Sequence, residues 1–410
     1  MTFLYRIFIF FYRLAVTAAY PFSSKARLWI KGRRGLPGRI EAEKVDKRKV
    51  VWIHCSSLGE FEQGRPLIEK ISNRSESYAI LLTFFSPSGY EIRQNYHKAD
   101  YIYYLPLDTR LAATQLVSHF NPVMAIFVKY EFWYFYIREL HNRNIPVYLV
   151  SALFRPSQVF FRRWGGWYCN MLRMFTHIFV QNSVSEKLLK EKGITNVSVA
   201  GDTRFDRVCS VASESEKIPV AEEFSCDKPV MVAGSTWQAD EELLAAYING
   251  ATGNRKFIIA PHEVHQENLK RLMGLIKKPA VKYSEVTEAG DKTVLVIDNI
   301  GMLSSLYRYG SVAYIGGGFG KGIHNILEAA VYGMPVIFGP NYTRFAEAVE
   351  LVKLGGAFPV SGAEELSRLT DRFFSDPLLL KKASFVAREY VKSGEGASDK
   401  ILRRILPELY

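Results

Sequence analysis

Two glutamates in this chain each stand a few residues after a short apolar run. Glu60 closes the segment SSLGE after Val50, Val51, Trp52 and Ile53, and Glu131 lies in KYEFW after Met124–Val128. A carboxylate at the carboxyl end of a parallel strand can take a proton from a hydroxyl that is about to attack. Two such carboxylates at neighbouring strand ends form a constellation, which one alone does not. GDTRFDR brings a further charged group, Arg204, out of a loop. The third cluster lies in residues 311–340, SVAYIGGGFGKGIHNILEAAVYGMPVIFGP. Here Gly316, Gly317, Gly318, Gly320 and Gly322 lead into a helix expected to start at Asn325. Glycine lets backbone approach a ligand closely, and a helix start offers free N–H groups to a phosphate. Glu328, one turn in, can grip a sugar hydroxyl. Lys321 is followed by Gly322, so this is no Walker A loop, and no G-x-G-x-x-G run aligns with it. A structural reading stands beside each functional one. Glu60 can simply cap a helix, and the glycines can form a βα turn without a ligand.

Strands alternating with helices must position these groups. Continuous apolar runs predict strands at 50–53, 79–83, 101–105, 124–128, 146–150, 178–181 and 197–201, with Ser56–Glu60 as a βα loop and a helix over 62–71. A second series falls at 230–233, 256–260, 293–297, 312–315 and 336–338. The predicted fold is therefore α/β, with two Rossmann-like doubly wound domains facing a central cleft. The expected boundaries are an N-terminal attachment helix at 1–24, a first domain at 25–207 and a serine-rich charged linker at 208–229. A second domain follows at 230–385, then a C-terminal helix at 386–410 that packs back on the first domain.

The chain has 410 residues, 48% apolar and 23% charged, which suits a globular protein of two domains. Its net charge of +12 points to an anionic partner. The basic residues are dispersed and no nucleic-acid recognition motif occurs, so a membrane surface or phosphorylated substrate is favoured. Four scattered cysteines without a C-x-x-C pair argue against a zinc site and a disulfide framework. Residues 2–21, TFLYRIFIFFYRLAVTAAYP, are apolar and aromatic but carry Arg6 and Arg13 on one helical face. That pattern suits attachment to a membrane, either lying in the interface or crossing it; a buried helix is the alternative. Lys25, Arg27, Lys31, Arg33 and Arg34 follow, a basic cluster that marks a cytoplasmic face. FFRRWGGWY, at 160–168, suits a lipid phosphate or a membrane surface, or else is an exposed helix with a packed aromatic face.

SSLGE, FSPSGYE, YLPLD, KYEFW, GDTRFD, AGSTW and HNILEAAVYGMPVIFGP occur in that order along the chain. Together they make it resemble the 3-deoxy-D-manno-octulosonic acid (Kdo) transferases, glycosyltransferases of the GT-B fold. The resemblance runs over nearly the whole length. It implies transfer of Kdo from CMP-Kdo to the 6′-hydroxyl of a lipid A precursor at the cytoplasmic face of the inner membrane. It also implies inversion at the anomeric centre and no metal cofactor. Glu60 then matches the general base, and Glu131 and Arg204 match transition-state stabilisers. CMP-binding positions fall at Pro261 and His262, at Gly301, Met302 and Leu303, and at Asn325, Ile326, Leu327 and Glu328. The chain departs from the family pattern at His262, where arginine is common, at Met302, where an acid is usual, and at Arg204, where lysine is commoner. Two other readings are a GT-B enzyme using a different nucleotide sugar on a lipid carrier, and a non-catalytic membrane-bound binding protein on the same fold.

Overall fold

In the computed structural model, residues 1–73, 76–226, 228–286 and 291–407 are described. The chain divides into two compact units, one formed by 1–207 with the C-terminal stretch from Gly396, the other by Val208–Glu395. The first unit carries β1 (Lys49–Cys55), β2 (Tyr78–Phe84), β3 (Tyr101–Tyr104), β4 (Met124–Val128), β5 (Val147–Ala152), β6 (His177–Val180) and β7 (Val197–Val199). They form one parallel sheet in the order 3-2-1-4-5-6-7. The second unit carries β8 (Val230–Thr236), β9 (Lys256–Pro261), β10 (Ala280–Lys282), β11 (Val294–Val296), β12 (Val312–Ile315), β13 (Val336–Phe338) and β14 (Ala357–Pro359). Its parallel order is 10-11-9-8-12-13-14. These are two Rossmann-like sheets, each wound outward from a central pair of strands.

The strands read as unbroken apolar runs because helices cover both faces of each sheet. Trp52, Leu81 and Phe127 fill one side of the first sheet; Val51, Ile53, Leu82 and Ile126 fill the other. Each large apolar side chain buried this way contributes about 1.5–3 kcal/mol. The helix Ala397–Ile405 closes the second side with Ile401, Leu402 and Ile405. Asp206 fixes its start by accepting from the Gly396 and Ser398 amides, both at 2.6 Å. The chain therefore returns to the first unit at Gly396, ten residues later than expected, because the helix Pro377–Gly394 stays in the second.

Three other expectations change. The stretch read as a linker is largely helical, with Thr203–Glu214 and Pro219–Ser225; Ala221 and Phe224 are buried. The helix after β1 spans Leu58–Ser72, so Glu60 lies in its first turn and not in a loop. Arg204 likewise sits in the first turn of Thr203–Glu214.

The N-terminal helix Thr2–Ala18 docks on the first unit by one face. The Tyr5 hydroxyl donates to Asp108 at 2.5 Å, Ile9 is buried, and Tyr12 packs on Trp29 and Phe85. Phe3, Leu4, Phe8, Phe10, Phe11 and Leu14 stay exposed. No helix among the described residues is long and apolar enough to cross a membrane. Arg33 does not join the basic surface cluster. Its guanidinium lies over the rings of Trp29, Phe85 and Tyr104 and donates to the carbonyls of Leu105 and Phe85. In the 160–168 segment Phe160 is buried, Trp164 is exposed, and Trp167 packs on Tyr5 of the N-terminal helix.

Candidate functional site

Backbone strain concentrates at the carboxyl ends of the strands. Lys129, just past β4, Ser151 in β5 and Ser235 in β8 all have positive φ, at 69, 52 and 53°. Pairing slips between Leu149 and Ala152 and again between Gly234 and Thr236. Such left-handed residues and bulges are costly and gather where a strand end is re-aimed for function.

In the first unit, neighbouring strands β2, β1 and β4 bring several polar groups together. Glu60 is half-buried and accepts from the Ser57 hydroxyl three residues before it. It thus lies where a carboxylate also meets the favourable end of its helix, so both sequence readings describe real features of its position. Glu131 is 9% exposed. Its Oε2 accepts from Trp133 Nε1 at 2.6 Å and lies 3.2 Å from His54 Nε2. His54, wholly buried in β1, has Nδ1 2.8 Å from the Thr83 hydroxyl of β2. The same hydroxyl accepts from Trp52 Nε1 at 2.8 Å. Asp108 aims the segment that carries Glu131. It accepts from the Phe135 and Tyr136 amides at 3.1 and 3.2 Å, capping the helix Tyr134–Asn142 from a distance. Burial pushes its carboxyl up to about 7.

Arg204 is oriented by Asp202, with Nε at 2.9 Å and Nη2 at 2.7 Å from Oδ2. Asp202 also accepts from Gln63 Nε2 at 3.3 Å, and Thr203 donates to the Gln63 carbonyl at 2.6 Å. The three groups share an electrostatic neighbourhood. The Tyr130 hydroxyl feels Arg204, Asp202 and Glu60, and the buried Cys55 thiol feels Glu60 and Glu131. Sequence reading had named Glu60, Glu131 and Arg204 but missed His54, Thr83, Trp133 and Asp202. Trp133 and Asp202 lie two residues from Glu131 and Arg204, whereas His54 and Thr83 come within reach only through the strand order.

In the second unit, adjacent strands β9, β8 and β12 bring Pro261, Trp237 and the glycine loop to one edge. Gly316 and Gly318 serve contact between chain segments. A side chain at Gly316 would strike the backbone of Ser235 and Thr236, and one at Gly318 that of Gly339. Buried Asp240 ties the segments together by accepting from the Trp237 and Gly317 amides at 2.9 and 2.8 Å and from the Tyr314 hydroxyl at 2.7 Å. His262 is exposed and stacks on Trp237, ring centres 4.4 Å apart, with His324 4.7 Å beyond. Trp237 Nε1 donates to His324 Nε2 at 3.0 Å. Burial, and then His262, holds the His324 imidazole below the ordinary histidine range.

The helix expected at Asn325 is a single turn, Leu327–Ala330. A long helix dipole is therefore not the source of any anion affinity here. Asn325 Oδ1 accepts from the Leu327 amide at 3.2 Å and its Nδ2 donates to Glu328 at 3.0 Å. The backbone N–H groups of Asn325 and Ile326 have no acceptor among the described residues. Gly301, Met302 and Leu303 lead into another single turn, Leu303–Leu306, with Gly301 at φ 104°. Sequence reading missed Trp237, His324 and Asp240 as members of this edge, although AGSTW was recognised as a motif.

Residues 30–207 match a family described as 3-deoxy-D-manno-octulosonic-acid transferase (kdotransferase). A 3-deoxy-D-manno-octulosonic acid transferase of Haemophilus influenzae is 24% identical over 375 residues, 88% of this chain and 87% of that protein. A bifunctional glycosyltransferase/methyltransferase of Fusobacterium nucleatum is 26% identical over 86% of this chain, which spans only 56% of that longer protein. Among solved structures, a glycosyltransferase from Rickettsia africae shares the fold, with a TM-score of 0.58 at 14% identity over 89% of this chain and 98% of that one.

Proposed function

Because the chain belongs to the 3-deoxy-D-manno-octulosonic acid transferase family of glycosyltransferases, we propose that it moves Kdo from CMP-Kdo to the 6′-hydroxyl of a lipid A precursor of the lipid IVA type. The observation that carries this reading is the cluster of Glu60, Glu131 and Arg204 at the strand ends of the first sheet, two carboxylates and a fixed cation. Glu60 accepts the proton of the attacking hydroxyl as its oxygen bonds the anomeric carbon. The bond from that carbon to the CMP phosphate breaks, and attack from the opposite side inverts the centre. Glu131 supports positive charge that develops on the sugar ring, and Arg204 holds the sugar carboxylate or the departing phosphate. In the second unit, Pro261, His262, Gly301, Met302, Leu303 and Asn325 through Glu328 hold the nucleotide, with the free amides of Asn325 and Ile326 facing phosphate. No metal cofactor takes part in this reading.

The same reading places the chain on the cytoplasmic face of the inner membrane. The apolar face of Thr2–Ala18 lies in the lipid interface and does not cross it, and exposed Arg162, Arg163 and Trp164 meet headgroups beside it. The test is Glu60→Ala. Transfer should fall by about 10²- to 10⁴-fold while CMP binds as before. Near-normal turnover in that variant refutes the base assignment, and stronger competition by UDP than by CMP refutes the donor.

A further inference from the structure

Hydrogen positions around His54 follow from counting donors. The Trp52 indole can only donate, and it donates to Thr83 Oγ1. The Thr83 hydroxyl carries one hydrogen, and His54 Nδ1, 2.8 Å away, is its remaining partner. Were Nδ1 protonated, Thr83 would accept from both rings and its own hydrogen would point at no acceptor inside a fully buried site, a costly arrangement. Thr83 therefore donates to Nδ1, and the neutral imidazole carries its hydrogen on Nε2. That hydrogen faces Glu131 Oε2. Trp133 Nε1 aims its hydrogen at both His54 Nε2, 3.0 Å away, and Glu131 Oε2, 2.6 Å away; with Nε2 protonated only the shorter bond can form, so both N–H groups converge on the one oxygen. Glu131 Oε1 has no partner among the described residues and is not among the buried unsatisfied atoms.

We propose that His54 is a positioning residue for transfer: locked by Thr83 with its hydrogen on Nε2, it acts with Trp133 to pin Glu131 Oε2 so that Oε1 faces the reacting sugar. This rests on the reading of Glu131 as a group that touches that sugar. The arrangement is a relay of orientation across three adjacent strands, Thr83 on β2, His54 on β1 and Glu131 after β4. It moves no proton during the reaction. Thr83 sets the tautomer, the tautomer sets the donor, and the donor fixes the carboxylate. A carboxylate held by one oxygen keeps its other oxygen in one place, which is what stabilisation of a short-lived charge requires.

The experiment compares His54→Phe and His54→Gln with the full-length wild type, using CMP-Kdo and a lipid IVA acceptor. Phenylalanine keeps a buried ring and removes the donor, so kcat should fall by about 10- to 100-fold with the KM for CMP-Kdo changed less than about two-fold. Glutamine can still present an N–H to Glu131 and should recover most of that loss. Long-range proton–nitrogen spectra of histidine-labelled wild type should show His54 protonated at Nε2 and bare at Nδ1, the signal being assigned by its absence in His54→Gln. Thr83→Val should mix the two forms. A wild type that transfers Kdo beside an equally fast His54→Phe overturns the inference alone, and so does a wild-type spectrum with the hydrogen on Nδ1. The spectrum decides the point even if His54→Phe fails to fold. A wild type that transfers no Kdo overturns the functional reading first, and the catalytic role of His54 with it.

Discussion

Gly316→Ala isolates why the loop after β12 is built from glycine. The added methyl would sit 2.6 Å from Thr236 Cα and 2.7 Å from the Ser235 carbonyl carbon, with the Ser235 oxygen closer still. Non-bonded carbons settle at about 3.5–4.0 Å, so the loop must retreat by about 1 Å. It would press on the strand end where β8 is already irregular and Ser235 already strained. Overpacking of this kind costs ~1–3 kcal/mol, and the upper end applies because no rotamer can relieve a clash with backbone. In a unit of this size that lowers the melting temperature by about 6–12 °C. Trp237 is the one tryptophan of the second unit, so the fluorescence difference between each variant and its Trp237→Phe counterpart follows that unit. Gly320→Ala is the control, since its nearest neighbour is 3.7 Å away. Calorimetry with CMP gives the second readout, because a displaced loop shifts the free amides at Asn325 and Ile326. A Gly316→Ala protein as stable as Gly320→Ala, with unchanged CMP affinity, would refute the close-approach argument.

Three other outcomes are expected. Chelator should leave the transfer rate unchanged; strong inhibition reversed by added magnesium would count against catalysis by Glu131 and Arg204 alone. Asp108 titrates near 7 when folded, above its unfolded value of 3.8, so the stability it contributes is complete below pH 3.8 and is lost as pH rises through 7. Asp108→Asn should therefore flatten the fall in melting temperature across that window, and an unaltered pH profile would contradict the assignment. Replacing Phe3 and Phe11 by Ser should lower sedimentation with anionic vesicles by about 10-fold or more without releasing the helix, because Tyr5, Ile9 and Tyr12 hold it by another face.

Parallel strands were the most legible feature of the sequence. Met124–Val128 has the bounds its apolar run implies, because a strand covered on both faces has no polar positions to interrupt it. Helix starts were less legible. SSLGE and GDTRFD read as loops because their small and polar residues favour turns, yet both begin helices that carry Glu60 and Arg204 in their first turns: Ser57 stands at the helix start and donates its hydroxyl to Glu60, and Asp202 accepts from the Arg204 amide. The segment 208–229 looked like a linker because its few apolar residues show no period, although Ala221 and Phe224 suffice to bury a short helix. The glycines suggest close approach of a ligand, but at Gly316, Gly317 and Gly318 the close partner is the protein's own backbone. His54 could not be found by spacing, since a lone histidine in an apolar strand gains meaning only when β2 and β4 are known to flank β1.

Mass spectrometry of the lipid product tests the functional account most directly. Purified chain, CMP-Kdo and lipid IVA should yield the acceptor with one or more Kdo residues added and stoichiometric CMP released. Wild-type protein that binds CMP yet returns lipid IVA unchanged, or that modifies it only when a uridine-linked sugar is supplied, would contradict the account.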